Sequence, residues 1–352
     1  MLRNGKWWIG VLCLISLLSC KSESSVNQPN VDHIKVNYKV VRYEQLLEDL
    51  NPDTILDDYQ ILQSQHSVFT DLYFKRLVPI ISNDANETEV ESAILEFIKD
   101  DRISFLLDTV RQVFSDFEKK IIPALDGAFK NCKYYFPQWE EPNIYTLVSE
   151  YAYQHFLFED EGGRDGLGIG LDMYFGRDFP YSRIAPGVAA FSSYITRSFD
   201  KEHMVKKTMD VILDDIIGPP PGSRMLDQMI HNGKKLYFMK HLLPDQPDSI
   251  IMEYTSEQMD WVAQNEEEMW AFFFKEELFY QTDMNIINKY INTSPNSPGM
   301  PQEAPGRTGN YMGWQIIKAY MERNPEVTFE QLIVEKNAQL IMDQSRYKPR
   351  RN

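Results

Sequence analysis

The 352-residue chain is short of cysteine, with three, and short of positive charge, with 36 Lys and Arg against 52 Asp and Glu and a formal charge of −16. The charge deficit removes the basic face that displaces counterions from a phosphate backbone, so no nucleic-acid partner is expected. It equally removes a polybasic membrane-surface module. H-E-x-x-H, G-x-S-x-G and G-x-G-x-x-G are all missing, which takes away the common signatures of a zinc peptidase, a serine hydrolase and a dinucleotide site. What is abundant is aromatic: 20 Phe, 19 Tyr and 6 Trp supply a sizeable core and exclude disorder for most of the length.

Arg3 and Lys6 precede an apolar run over residues 7–18, and Leu17-Leu18-Ser19-Cys20 closes it. The run falls short of the ~20 residues that span a bilayer, and a small residue before cysteine resembles a bacterial lipoprotein leader. Residues 1–19 are then expected to be removed and Cys20 to be lipidated, which anchors the chain durably when more than one acyl chain is attached. Loss of Arg3 and Lys6 leaves the mature chain still more acidic. With Cys13 gone and Cys20 acylated, Cys132 has no disulfide partner, and no neighbouring histidine activates it. Residues 20–35 read as the lipidated cysteine and a polar tether, and residues 36–352 as the globular domain, with room for a helical C-terminal subdomain that no composition shift delimits.

Within the body, short alternating or aromatic runs near residues 38, 145, 155 and 170 predict four strands, with Gly162-Gly163 as a hairpin turn. Three- and four-residue apolar spacing over 89–129 predicts helices with a break near Asp100-Asp101. Ser223 is expected to cap a helix running to 243, Thr255 opens a capping box for a second helix reaching Phe274, and Thr328 opens another. The proline-rich stretch 293–309 reads as a lid, a binding loop or a mobile segment. The expected fold class is therefore α+β, mainly α-helical with a small mixed sheet.

Chemistry is sparse. His231 and His241 share a helix but stand about 15 Å apart at 1.5 Å per residue, too far to bind one metal. The first of them begins His231-Asn232-Gly233-Lys234-Lys235, where an amide occupies the general-base position and a lysine the second-ligand position. No catalytic residue, metal or cofactor is assigned. The Glu266-Glu267-Glu268 run reads as a solvated helix face, and the 159–165 turn lacks the residue order of the best-known calcium loop. Gly166, Gly168 and Gly170, spaced every second residue, leave one strand face without side chains, so that another backbone, a peptide or a helix, can approach it.

The lipobox at Cys20, the strand 168–176 (GIGLDMYFG), the stretch 233–239 (GKKLYFM) with Leu242-Leu243-Pro244, and 305–316 (PGRTGNYMGWQI) recur in this order along nearly the whole chain. Together they resemble the gliding motility-associated lipoprotein GldB family of Bacteroidota. The resemblance implies a cell-envelope lipoprotein, membrane-anchored, with its body in the periplasm or at the cell surface and protein partners in a motility or type IX secretion complex. That family is in turn similar to predicted zinc peptidases of zincin-like, gluzincin-type fold. On that likeness His231 matches the first ligand while Asn232 and Lys235 depart from the motif, which implies a pseudo-peptidase whose groove binds a partner. The groove residues so implied are Gly168, Gly170, Asp172, His231, Tyr237 and Arg307, of which Asp172, Tyr237 and Arg307 could equally be a strand-end cap, a core aromatic and a loop salt bridge. A tryptophan at Gly170 is then expected to block the groove without unfolding the protein. A metallopeptidase with unrecognised ligands and an inert structural lipoprotein are the alternatives.

Overall fold

The computed structural model describes residues 28–350; the leader and Cys20 lie outside the described residues. Four strands form one sheet: β1 (Val40–Arg42), β2 (Asn143–Leu147), β3 (His155–Glu159) and β4 (Asp165–Gly170), in the order β1-β2-β4-β3. β1 with β2 and β2 with β4 run parallel, while β3 and β4 form an antiparallel hairpin. Its turn contains Gly162 and Gly163 at φ 75° and 76°, a region that side chains disfavour. The mainly helical remainder and the small mixed sheet match the fold class that the sequence predicts.

One face of the sheet is closed by rings. Phe69, from the helix Ser67–Leu72, stacks on Tyr145 of β2 at 4.4 Å between centroids and meets Phe158 of β3 at 5.3 Å. Tyr43, Tyr73, Phe74 and Phe97 continue this fully or nearly buried layer. Paired aromatics contribute beyond their buried area, about 0.5–1.5 kcal/mol each, so this cluster ties the N-terminal helices to the sheet. The helix Lys201–Ile217 packs against β3, and Phe117–Tyr135 packs in turn on it.

The C-terminal half is built around two helices, Met225–Leu242 and Thr308–Arg323. They cross at glycine: a Cβ on Gly233 would stand 2.8 Å from the Trp314 nitrogen, and one on Gly313 would stand 2.6 Å from the Met229 carbonyl carbon. Two backbones in contact there bring the neighbouring side chains Met229, Trp314, Ile316 and Ile317 fully out of water. Gly233 and Gly313 therefore set the geometry from which the cavities described below follow.

Three expectations need correction. Ser223 does not cap the 225–242 helix; Arg224 holds the N-cap position and Asp227 accepts its backbone N–H at 3.0 Å and its guanidinium at 2.7 Å. The predicted helix over 256–274 breaks at Asn265 into Ser256–Gln264 and Glu266–Lys275. The proline-rich stretch is packed and hydrogen-bonded: Ser297 Oγ donates to the Pro305 carbonyl at 2.7 Å, Tyr254 donates to the Gly306 carbonyl at 2.6 Å, and Ser297 and Ala304 are completely buried. Its prolines supply turns that need few internal bonds, and its carbonyls find hydroxyl donors instead.

His155 joins the sheet to the helical layer. Its ring nitrogens lie 3.0 Å from Thr208 Oγ1 and 3.1 Å from the Tyr174 hydroxyl, and burial, aided by Lys207, drives its pKa down to about 3. A half-buried histidine that the fold keeps neutral stabilises it fully above the unfolded pKa near 6.5 and loses that contribution as pH falls toward the folded value. Between pH 7 and pH 5 the stability gap between wild type and His155→Gln is expected to shrink by about 2 kcal/mol in urea unfolding. A constant gap would mean that the ring protonates equally in both states.

Candidate functional site

A cavity of about 710 Å³ opens where the N-terminal halves of the two crossed helices meet the 201–217 helix. Its lining includes Gln228, His231, Asn232 and Lys235 from one helix, Lys206, Lys207, Asp210 and Asp214 from another, and Glu253, Arg307 and Asn310. The one-turn and two-turn spacings of 228, 231, 232 and 235 place those four side chains on one helical stripe, as do 206, 207, 210 and 214.

The charges form a connected network. Lys206, 2% exposed, places its ammonium 2.6 Å from Asp210 and 2.7 Å from Glu253. Lys207 reaches the same Glu253 oxygen at 3.2 Å and Arg307 approaches its other oxygen at 3.9 Å. Burial alone would push the Glu253 pKa up, but Lys206, Lys207 and Arg307 outweigh it and hold the carboxyl well below the usual range. Burial likewise opposes the Lys206 charge, yet Asp210 and Glu253 carry its pKa above the ordinary lysine value. Glu253 and Arg307 both sit in left-handed backbone, at φ 54° and 63°. Such residues cost about 1–3 kcal/mol each and persist where surroundings over-determine them; here Arg307 donates to the Met252 carbonyl at 3.0 Å and Arg197 to the Glu253 carbonyl at 2.9 Å.

Asn232 donates to the Asn310 side-chain oxygen at 2.9 Å, and Asn310 in turn donates to the Ile291 carbonyl at 2.9 Å. Lys235 is paired with Asp214. Burial, then Lys235, lowers the His231 pKa to about 4, so the imidazole is neutral at physiological pH. The arrangement can bind polar groups through both charge signs. Among the described residues, no three of His, Cys, Asp and Glu converge as a metal cage.

Of the six groove residues, the structure brings His231 and Arg307 to this cavity and places the other four elsewhere. Gly168 and Gly170 are on β4, an interior strand paired on both sides, so no peptide can add to it. The missing side chains make room for internal partners: a Cβ on Gly168 would meet the Phe156 ring at 2.5 Å, and one on Gly170 would run into the Tyr153 carbonyl oxygen. A tryptophan at Gly170 would thus break the fold instead of plugging a groove. Asp172 is a buried clamp, accepting the backbone N–H of Ser149 at 3.0 Å and of Tyr151 at 2.6 Å, and it fixes a turn in which Glu150 and Tyr151 are both left-handed. Burial raises its pKa to about 6 despite those bonds. Tyr237 lies further along its helix, against His241 and Phe329, at a different cavity.

Sequence reasoning missed Lys206, Asp210, Glu253 and Asn310. Lys206 and Asp210 have the i, i+4 spacing of an ordinary surface pair. The signal that sets them apart is their apolar company, since Met204, Val205, Met209, Ile212 and Leu213 leave no wholly solvated face for a lysine at 206. Glu253 follows a five-residue helix and carries no local signal.

Fold and cavity define an α+β, mainly helical protein with a buried ionic network beside an open polar cleft, and no helix among the described residues is long and apolar enough to cross a membrane. A family model described as "Gliding motility protein GldB" matches residues 24–349, and the chain belongs to that family of gliding motility-associated lipoproteins. No curated protein and no solved structure matches it.

Proposed function

We propose that the chain is a lipid-anchored envelope protein, held through Cys20, that serves a gliding-motility or type IX secretion assembly without catalysis and binds a polar segment of a protein partner in the cleft at His231 and Arg307. In this reading the body is a zincin-like fold in which the metal site has been replaced by internal ion pairs. The observation that carries it is the commitment of the two motif positions: Asn232 is held by Asn310 and Lys235 by Asp214. Electrostatics favour the same reading, because Lys206, Lys207, Lys235 and Arg307 face the cleft against only three carboxylates, Asp210, Asp214 and Glu253. A divalent cation entering a cleft of net positive charge is repelled, and a primary amide cannot serve as a base at pH 7.

The test is metal content by mass spectrometry on the whole protein, purified in nonionic detergent without chelator or nickel resin, together with digestion of a mixed peptide library. Substoichiometric zinc and an intact library are expected. Near-stoichiometric zinc with cleavage would replace the binding role by a peptidase with unconventional ligands.

A further inference from the structure

The C-terminal halves of the same two helices border a second cavity of about 610 Å³. Its lining carries Lys240, Lys318, Arg323, Arg346, Lys348 and Arg350 against two carboxylates, Glu266 and Glu322. A concentration of cations in a chain of net charge −16 is the reverse of what composition would place there. Asp248 sits behind, 3.2 Å from Lys240 and 3.4 Å from Lys318. Arg323, Arg346, Lys348 and Arg350 have no ion pair among the described residues.

The backbone of the tail that carries three of these cations is held in place. Arg346 turns the chain in left-handed backbone at φ 44°, Ser345 Oγ accepts the Tyr347 N–H at 3.1 Å, and Glu266 accepts the Tyr347 hydroxyl at 2.5 Å and the Arg350 N–H at 3.0 Å. Glu266, expected to be solvated, is instead 2% exposed and serves as the anchor of this tail. The Lys318 ammonium rests 3.7 Å from the centroid of the buried Trp314 ring, whose Nε1 has no hydrogen-bond partner among the described residues. Burial, with Lys240 and Arg350 nearby, keeps the Lys318 pKa below its usual value although Asp248 opposes the shift. Positive charge is therefore crowded around Lys318 without enough counter-charge.

We propose that this cavity is a binding site for a phosphate monoester. Such a group carries about −1.5 to −2 charge at pH 7 and three acceptor oxygens, which suits several unpaired donors better than a single carboxylate does. Three arginines offer the planar two-pronged contact that phosphate favours. The volume lies within the range of about 300–1,000 Å³ typical of small-molecule sites, leaving room for a sugar or glycerol body beside Tyr237 and Tyr347. A soluble sugar phosphate and a lipid headgroup share this chemistry.

Isothermal titration calorimetry of the whole protein in nonionic micelles separates the sources, using glucose 6-phosphate in one arm and dioctanoyl phosphatidic acid in the other, with glucose and dioctanoylglycerol as neutral controls. Saturable binding of at least one phosphate and of neither control is expected; the arm that binds names the source. Arg323→Glu with Lys348→Glu, at exposed positions without an ion pair among the described residues, should weaken it about tenfold or more while circular dichroism stays unchanged. Absence of saturable heat in both arms overturns the proposal. So does binding that survives the charge reversal, or polyglutamate binding as tightly as the phosphates, which would make the ligand an acidic peptide.

Discussion

Gly313→Ala is expected to destabilise the protein by about 3 kcal/mol or more, at the upper end of what overpacking a core costs. The added methyl would have to occupy space held by the Met229 carbonyl, and neither helix can yield without moving the other. Backbone cannot rotate out of the way as a side chain can, so the strain spreads through Trp314, Ile316 and Ile317, which are all fully buried. Gly233→Ala strikes the same crossing from the other side, close to the Gly313 carbonyl and the Trp314 nitrogen. The two substitutions share one displacement, and together they should cost less than their sum. Gly127 supplies the control, since it lies inside the helix Phe117–Tyr135 with open space where its Cβ would go. Gly127→Ala should stabilise by about 0.5–1 kcal/mol through helix propensity alone. Urea unfolding of the three single variants and of the Gly233/Gly313 double gives the comparison, and a Gly313→Ala protein as stable as wild type would refute the backbone contact.

The contrast between Gly313 and Gly127 also shows where reading the sequence stops. Period-two and period-three-to-four patterns report which face of an element is buried, and on that basis the four strands, the Gly162-Gly163 hairpin, the break at Asp100 and the capping boxes at Thr255 and Thr328 were all legible. Patterns do not report what fills the space beside a residue. The glycines of β4 gave the same signal that an open groove would give, and only the register that sets Phe156 against Gly168 and Phe158 against Gly166 shows that they accommodate neighbouring rings. Glu266 followed helical charge patterning but lies where the C-terminal tail folds back, a contact between residues some eighty positions apart. His231 and Arg307, which the family resemblance marks as groove residues, both line the cleft; the ion pairs around them depend on the chain path and had no local signature.

Glu253→Gln is expected to cost about 3–5 kcal/mol, the usual penalty for breaking a buried pair from one side. Lys206 would keep Asp210 but lose its 2.7 Å partner, while Lys207 and Arg307 would face a neutral amide. The pH dependence identifies the mechanism. The folded pKa of Glu253 lies well below the ordinary glutamate value, so its contribution is complete above that value and disappears as pH falls through the folded one. The gap between wild type and Glu253→Gln should therefore close on acidification and stay constant above about pH 6. Adding Lys206→Met removes the ammonium left short of a partner and should recover part of the loss, because replacing a whole buried pair costs less than halving it. Lys207 and Arg307 still lack their carboxylate and Asp210 loses Lys206, which keeps the recovery incomplete. The double variant then distinguishes architecture from recognition. On the proposed partner-binding role, capture of an envelope partner that returns with stability in Lys206→Met/Glu253→Gln means that the network serves to hold the cleft in its shape. Capture that stays lost in the restabilised protein means that these charges themselves face the partner.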